Sequence, residues 1–282
     1  MDIRLMNERE YELSKGLWME CFPGDGKGFV DWYYAERTRP EYALGAFLSG
    51  EAPAAMLHML PMKMRFDGRD APICFVAGVS TRPDMRRRGI CAELFERAFD
   101  IMRERGFEAS VLQPFRTDFY ERFGYKTHII RQRIELSYER PNAVGRSYEE
   151  VKPDPSRLKG LYEGYMRRFG GWSIRDEGYF TGFIREYSMA GAELVVTGHG
   201  CCAGYADEDD PASFTATELF FEEGTDPAKL LPKGYSRYAF PLPMDAMPPE
   251  GCLAGVEEFS MIKPLTADFD MGTAPLFGFD RY

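Results

Sequence analysis

One stretch constrains the fold of this chain more than any other: a buried strand that runs straight into a basic turn and an amphipathic helix. Ile73 to Thr81 reads as the strand. Arg82-Pro83-Asp84-Met85-Arg86-Arg87-Arg88-Gly89 forms the turn. From Gly89 to Arg105, Ile90, Leu94, Phe95, Ala98 and Met102 fall on one helical face, while Glu93, Glu96, Arg97, Asp100 and Arg103 fall largely outside it. Gly106, after Arg103 and Arg105, stops the helix.

The flanking segments extend this pattern. Helices are expected over Glu8–Phe22, broken by Pro23-Gly24-Asp25-Gly26, and over Phe29–Arg37. Tyr42–Leu48 and Ala54–Phe66 read as strands, and Asp67-Gly68 predicts a hairpin joining Ala54–Phe66 to Ile73–Thr81. Ala109–Leu112 is a short buried strand, Phe115–Phe123 a short helix ended by Gly124, and Lys126–Tyr138 a further strand. This order suits an α/β (α+β) fold, a mixed twisted sheet flanked by helices. Pro141, Gly145, Pro153 and Pro155 mark a boundary, so the expected domains are 1–140 and 141–282. In the second, Ser156–Phe169 and Asp176–Met189 look helical, and Ala192–Thr197, Cys201–Ala206 and Ser213–Glu222 look like strands. Prolines crowd the chain after Pro227, so strands there are expected to be short or at sheet edges.

Composition narrows the function classes. Of 282 residues, 44% are hydrophobic and 28% charged, as in a soluble globular protein. No apolar run is long enough to span a bilayer, and Met1–Glu12 lacks the apolar core of a secretory signal. Six cysteines without a C-x-x-C pair, and only three histidines, argue against zinc or a disulfide scaffold. The chain therefore reads as cytoplasmic, with reduced thiols, no metal and no membrane partner. Residues 1–140 carry 22 basic and 22 acidic side chains, so the net charge of −10 lies in the remainder. Such a chain is a poor nucleic-acid binder; its acidity either draws cationic small molecules or serves solubility. The oligomeric state is open, a homo-oligomer included.

The basic turn is where chemistry enters. The first N–H groups of a helix lack internal partners, and the helix dipole favours an anion there. Arginine adds charge-assisted hydrogen bonds, and Gly89 lets the backbone approach a phosphate without a Cβ. The turn thus reads as a pyrophosphate cradle, or else as a solvated basic corner. It is neither a Walker A loop nor a G-x-G-x-x-G dinucleotide turn.

A second segment, Phe119-Tyr120-Glu121-Arg122-Phe123-Gly124-Tyr125, follows. Together, Arg86-Arg87-Arg88-Gly89-Ile90-Cys91 and this aromatic segment resemble the GCN5-related N-acetyltransferases (GNAT), whose signature is [Q/R]-x-x-G-x-[G/A] followed by an aromatic x-x-G-[FY] segment. Within that superfamily the chain looks most like the enhanced intracellular survival (Eis) type, without their C-terminal sterol-carrier-like domain. Trp18-x-x-Cys21-Phe22-Pro23, Arg168–Arg175 and Ala203–Ala206 are compatible with that type. Cys91 departs from the motif's small residue. The resemblance implies two tandem GNAT-like domains, the second degenerate.

It also implies transfer of acetyl from acetyl-CoA to a primary amine, a cationic small molecule or a lysine-like side chain. Val79, Ser80 and Thr81 would bind the pantetheine arm, with the Val79 N–H polarising the thioester carbonyl. Arg87, Arg88, Gly89, Ile90, Cys91 and Ala92 would hold the pyrophosphate, and Phe115 and Arg116 would touch the distal pantetheine. Tyr120 matches the general acid, the alternative being a packing tyrosine. The C-terminal carboxylate of Tyr282 matches the base, the alternative being a packed or frayed tail. Asp280, Glu36 and Asp31 are other candidate bases, and Phe22–Tyr34 either walls the acceptor pocket or packs as a helix pair. The rival class is a non-catalytic acyl-CoA-binding regulatory module.

Overall fold

A computed structural model of the chain describes residues 1–139, 148–188, 192–272 and 275–278. These form twelve strands and six α-helices. In chain order the first are β1 (Asp2–Leu5), α1 (Glu8–Cys21), α2 (Lys27–Glu36), β2 (Ala43–Phe47), β3 (Ala55–Phe66), β4 (Arg69–Thr81), α3 (Ile90–Glu104), β5 (Ala109–Leu112), α4 (Thr117–Glu121) and β6 (Lys126–Ser137). There follow α5 (Pro155–Met166), β7 (Gly171–Ser173), α6 (Glu177–Glu186), β8 (Ala192–Val196), β9 (Gly200–Ala206), β10 (Ser213–Phe221), β11 (Arg237–Leu242) and β12 (Leu253–Pro264). Among the described residues no helix is long and apolar enough to cross a membrane.

The chain divides into two compact units. The first comprises Met1–His128 and Ser260–Met271; the second comprises Ile129–Phe259 and the described residues from Gly272 on. The division after His128 precedes the expected boundary at 140, and much of the proline- and glycine-rich stretch lies outside the described residues. Composition shifts in a connecting loop, whereas contacts regroup within a strand.

In the first unit the strands pair in the order β1-β2-β3-β4-β5. The pairs are antiparallel except β4 with β5, and α3 makes the connection between those parallel strands. Met261–Pro264 of β12 adds an antiparallel neighbour to β5, so the sheet is mixed. Positive φ at Asp67 and Gly68 makes the tight β3–β4 turn. The apolar face of α3 is buried as its spacing demands: Leu94, Phe95, Ala98 and Met102 are inaccessible and pack with Leu57, Val76 and Leu112. Helix α1 starts with a capping box. The Asn7 side chain accepts from the Glu10 N–H, and the Glu10 carboxylate accepts from the Asn7 N–H, both at 3.0 Å.

The second unit orders its strands β6-β11-β10-β9-β8, antiparallel except for β10 with β11. Helices α5 and α6 pack Leu158, Tyr162, Phe180 and Phe183 onto Cys201 and Phe220. The strands after Pro227 correct the sequence reading. β12 runs for 12 residues; β11, with 6 residues, is short as expected, and it has neighbours on both sides despite Pro241. Pairing with β10 ends at Ala239, so Pro241 sits beyond it and costs that ladder no hydrogen bond.

Candidate active site

The parallel pairing of β4 with β5 runs only from Ile73↔Ala109 to Phe75↔Val111. β5 ends at Leu112, while β4 continues to Thr81. A cavity of about 230 Å³ opens beside the continuing part of β4. Phe75 to Val79 form one wall, Gln113, Phe115 and Tyr120 another, and Trp18, Phe22, Asp25 and Phe29 from the α1–α2 region a third.

A bulge shapes the β4 wall. Register with β3 passes from His58↔Ala77 to Met56↔Ser80, so Gly78 and Val79 together oppose a single residue, Leu57. Gly78 has φ +59, and a Cβ there would stand 2.4 Å from the Trp18 ring. Both the conformation and the space demand glycine. Val79 lines the cavity. Ser80 does not: it is buried, and its hydroxyl donates to the Gly78 carbonyl at 3.1 Å. The Thr81 carbonyl accepts from Arg86 Nε at 3.1 Å and from the Cys21 thiol at 3.5 Å.

The turn beyond presents cationic groups unevenly. Arg82 is paired with Asp84 at 2.6 Å. Arg87 and Arg88 are exposed and have no hydrogen bond or ion pair among the described residues. Gly89 caps α3 with φ +81 and offers no side chain. Glycine is required here by conformation, since no protein atom lies within 4 Å of where its Cβ would stand. The Ala92 N–H is already bonded to the Gly89 carbonyl at 2.9 Å, so the N–H groups of Ile90 and Cys91 are the ones left for an outside acceptor. The Ile90 side chain is buried. Cys91 is half-buried, and burial pushes its thiol up to about 11, which makes it a packing residue rather than a nucleophile.

Tyr120 sits on α4, 4% exposed, with its ring edge-on to Phe95, Phe115, Phe119 and Tyr125 at 5.0 to 6.2 Å. Desolvation raises its phenol well above the ordinary tyrosine value, so it stays protonated. Its hydroxyl has no hydrogen bond among the described residues, whereas buried Tyr125 shares one with Ser110 at 2.6 Å. Phe115 is 72% exposed at the cavity's rim. Arg116, next to it, has its guanidinium engaged by Asp118 at 2.6 Å.

Of the candidate carboxylates, Tyr282 and Asp280 lie outside the described residues. Asp31 is exposed on α2, paired with Lys27, and neither it nor Glu36 lines the cavity. Asp25 does line it, and Trp18 Nε1 donates to Asp25 Oδ2 at 2.7 Å. Sequence reasoning marked the Phe22–Tyr34 segment without distinguishing Asp25. Its signal was the Pro23-Gly24-Asp25-Gly26 break, which puts one carboxylate on a turn among aromatics. Gln113 was missed; nothing in its local sequence marks it.

Residues 2–128 match the model of the acetyltransferase (GNAT) domain. No curated protein matches the sequence significantly. Eis1 from Mycobacterium abscessus is similar in structure, with a TM-score of 0.68 at 18% identity, over 94% of this chain and 74% of that one. A GCN5-related N-acetyltransferase from Anabaena variabilis gives 0.72 at 15% identity, over 94% and 73%. A probable N-acyltransferase from Enterococcus faecalis gives 0.71 at 15%, over 94% and 72%. At such identities the likeness is one of fold, and it extends over both units.

Proposed function

We propose that the first unit, whose residues 2–128 match the model of the acetyltransferase (GNAT) domain, transfers acetyl from acetyl-CoA to the primary amine of a cationic acceptor. The observation that carries this reading is Tyr120: a phenol kept protonated by burial, with no hydrogen-bond partner among the described residues, opening on the cavity beside the β4 bulge.

Each part of the chain has a task. Arg87 and Arg88, with the N–H groups of Ile90 and Cys91, hold the pyrophosphate at the start of α3. Val79 to Thr81 offer backbone to the pantetheine arm as an added strand would, and the Val79 N–H stabilises charge growing on the thioester oxygen. Ser80 contributes through its backbone alone, because its hydroxyl is turned inward. Phe115 covers the distal arm, and Arg116 supports the start of α4 through Asp118. Asp25 receives the acceptor's ammonium beside Phe22 and Phe29, whose faces suit a cation.

Tyr120 gives its proton to the departing CoA sulfur as the C–S bond breaks and the C–N bond forms. The reacting amine, distinct from the ammonium held by Asp25, attacks as the free base and sheds one proton to a base as the amide forms, which with the proton from Tyr120 to sulfur keeps the step balanced.

The test is thermal stability with and without acetyl-CoA, beside thiol release with a panel of amines. Stabilisation with thiol release supports the transferase reading. Stabilisation without release from any amine favours a regulatory module, and no stabilisation at saturating acetyl-CoA overturns the cradle.

A further inference from the structure

One side chain joins the two halves of the cavity. The Trp18 ring lies against the bulge so closely that a Cβ on Gly78 would stand 2.4 Å from one ring carbon and 3.1 Å from the next. Elsewhere the ring meets Tyr33 at 4.7 Å, Phe22 at 5.1 Å, and His58 at 5.6 Å in a nearly parallel stack. Trp18 is 3% exposed. His58 is itself held, sharing a hydrogen bond with the Tyr33 hydroxyl at 3.1 Å, and burial lowers its pKa to about 3, so it stays neutral. The indole therefore has little freedom to rotate. Its N–H donates to Asp25 at 2.7 Å. Asp25 lies on the short segment between α1 and α2, where its own N–H donates to the Phe22 carbonyl at 3.0 Å.

We infer that Trp18 is a positioning residue: one rigid ring references the acceptor's carboxylate, Asp25, to the Gly78–Val79 bulge that orients the acetyl group. The inference rests on the reading of Asp25 as the acceptor's ammonium site. Geometry makes the coupling specific. A carboxylate on a mobile turn would find an ammonium in many orientations, whereas one fixed against the bulge holds the amine at a set distance from the thioester. A charged hydrogen bond from a buried donor is strong enough to do this.

The experiment is a double-mutant cycle with acetyl-CoA and 1,5-diaminopentane, followed by thiol release. Trp18→Phe keeps an aromatic ring and loses the N–H. Asp25→Asn keeps the shape and loses the charge. Stabilisation by acetyl-CoA is measured on every variant to establish that the cofactor side is intact. The expected result is a rise in KM for the diamine of about tenfold or more in each single variant, with kcat changed about twofold or less. The double variant should be no worse than Asp25→Asn alone. Replacing Trp18 by β-(3-benzothienyl)alanine, in which sulfur stands where the N–H was, should repeat the Trp18→Phe result and guards against a folding defect in that variant.

The outcomes separate the two claims. If Asp25→Asn raises KM and neither Trp18 variant does, the positioning role is overturned and the reading of Asp25 stands. Multiplicative effects in the double variant also overturn it, because the two residues would then act independently. If Asp25→Asn leaves KM unchanged, or the unsubstituted protein does not acetylate the diamine, the reading of Asp25 fails and this inference falls with it.

Discussion

Helix α3 of the first unit begins at Gly89, which has no side chain to offer its free N–H groups. Helices α5 and α6 of the second unit begin at Asp154 and Asp176, whose carboxylates accept from the N–H of Arg157 at 2.9 Å and of Tyr179 at 2.8 Å. The same contrast holds inside the units. Tyr120 carries a protonated hydroxyl without a partner among the described residues. In the second unit Arg175, with 1% of its side chain exposed, is bound to Glu218 by two hydrogen bonds of 2.9 and 3.0 Å, and its guanidinium lies over the Tyr162 and Tyr179 rings. One unit keeps donors unspent where an anion or a thiolate would need them. The other closes equivalent groups on itself. This teaches that a shared fold sets where helix ends and buried polar groups fall, while the residue at each position decides whether they bind anything.

That contrast can be broken at several points. Glu218→Gln should have the largest effect, because it removes the carboxylate charge from the buried Arg175–Glu218 pair: about 3 to 5 kcal/mol of stability lost, read by urea unfolding. Stabilisation of the folded protein by acetyl-CoA should survive, since the pair lies in the closed unit. Tyr120→Phe removes one oxygen from the open unit. It should lower kcat by roughly 10² to 10³-fold while the melting-point rise with acetyl-CoA is retained; an unchanged rate would mean the open hydroxyl is incidental.

The pH dependence sharpens the same point. Tyr120 titrates above the ordinary tyrosine value, so the acid form persists as pH rises. The rate should therefore hold through pH ~10, where a solvent-exposed tyrosine would already have begun to ionise, and kcat measured from pH 7 upward checks this.

Smaller effects test the helix ends. Arg87→Ala and Arg88→Ala should each weaken acetyl-CoA binding about tenfold, and the difference should shrink at high salt. Calorimetric titration at two ionic strengths is the measurement. Asp176→Ala should cost only about 1 kcal/mol of stability and leave acetyl-CoA affinity alone, which compares a cap spent on the fold with one kept for a ligand.

Much of this was legible in the chain itself. The face of α3, the strand Ala109–Leu112, the hairpin at Asp67-Gly68 and the arginine-glycine turn follow from spacing and turn chemistry, which act over a few residues. Tyr120 was legible as part of an aromatic motif, though not as a residue lining a cavity. Other features were out of reach because they join distant residues. The return of Met261–Pro264 beside β5 pairs segments about 150 residues apart, and no local pattern reports such a pairing. The tolerance of Pro241 depends on where β10 stops.

The amino-acid sequence by itself determined the helices, the hairpin, the cationic turn and the residue types available for chemistry, because propensity, periodicity and glycine's access to positive φ are properties of short stretches. Only the tertiary structure decided which of those residues face one another. The parting of β4 from β5 makes the cavity, the bulge at Gly78 admits the Trp18 ring, and that ring reaches Asp25. Burial, not sequence, sets the protonation of Tyr120, since the cost of a charge depends on what surrounds it.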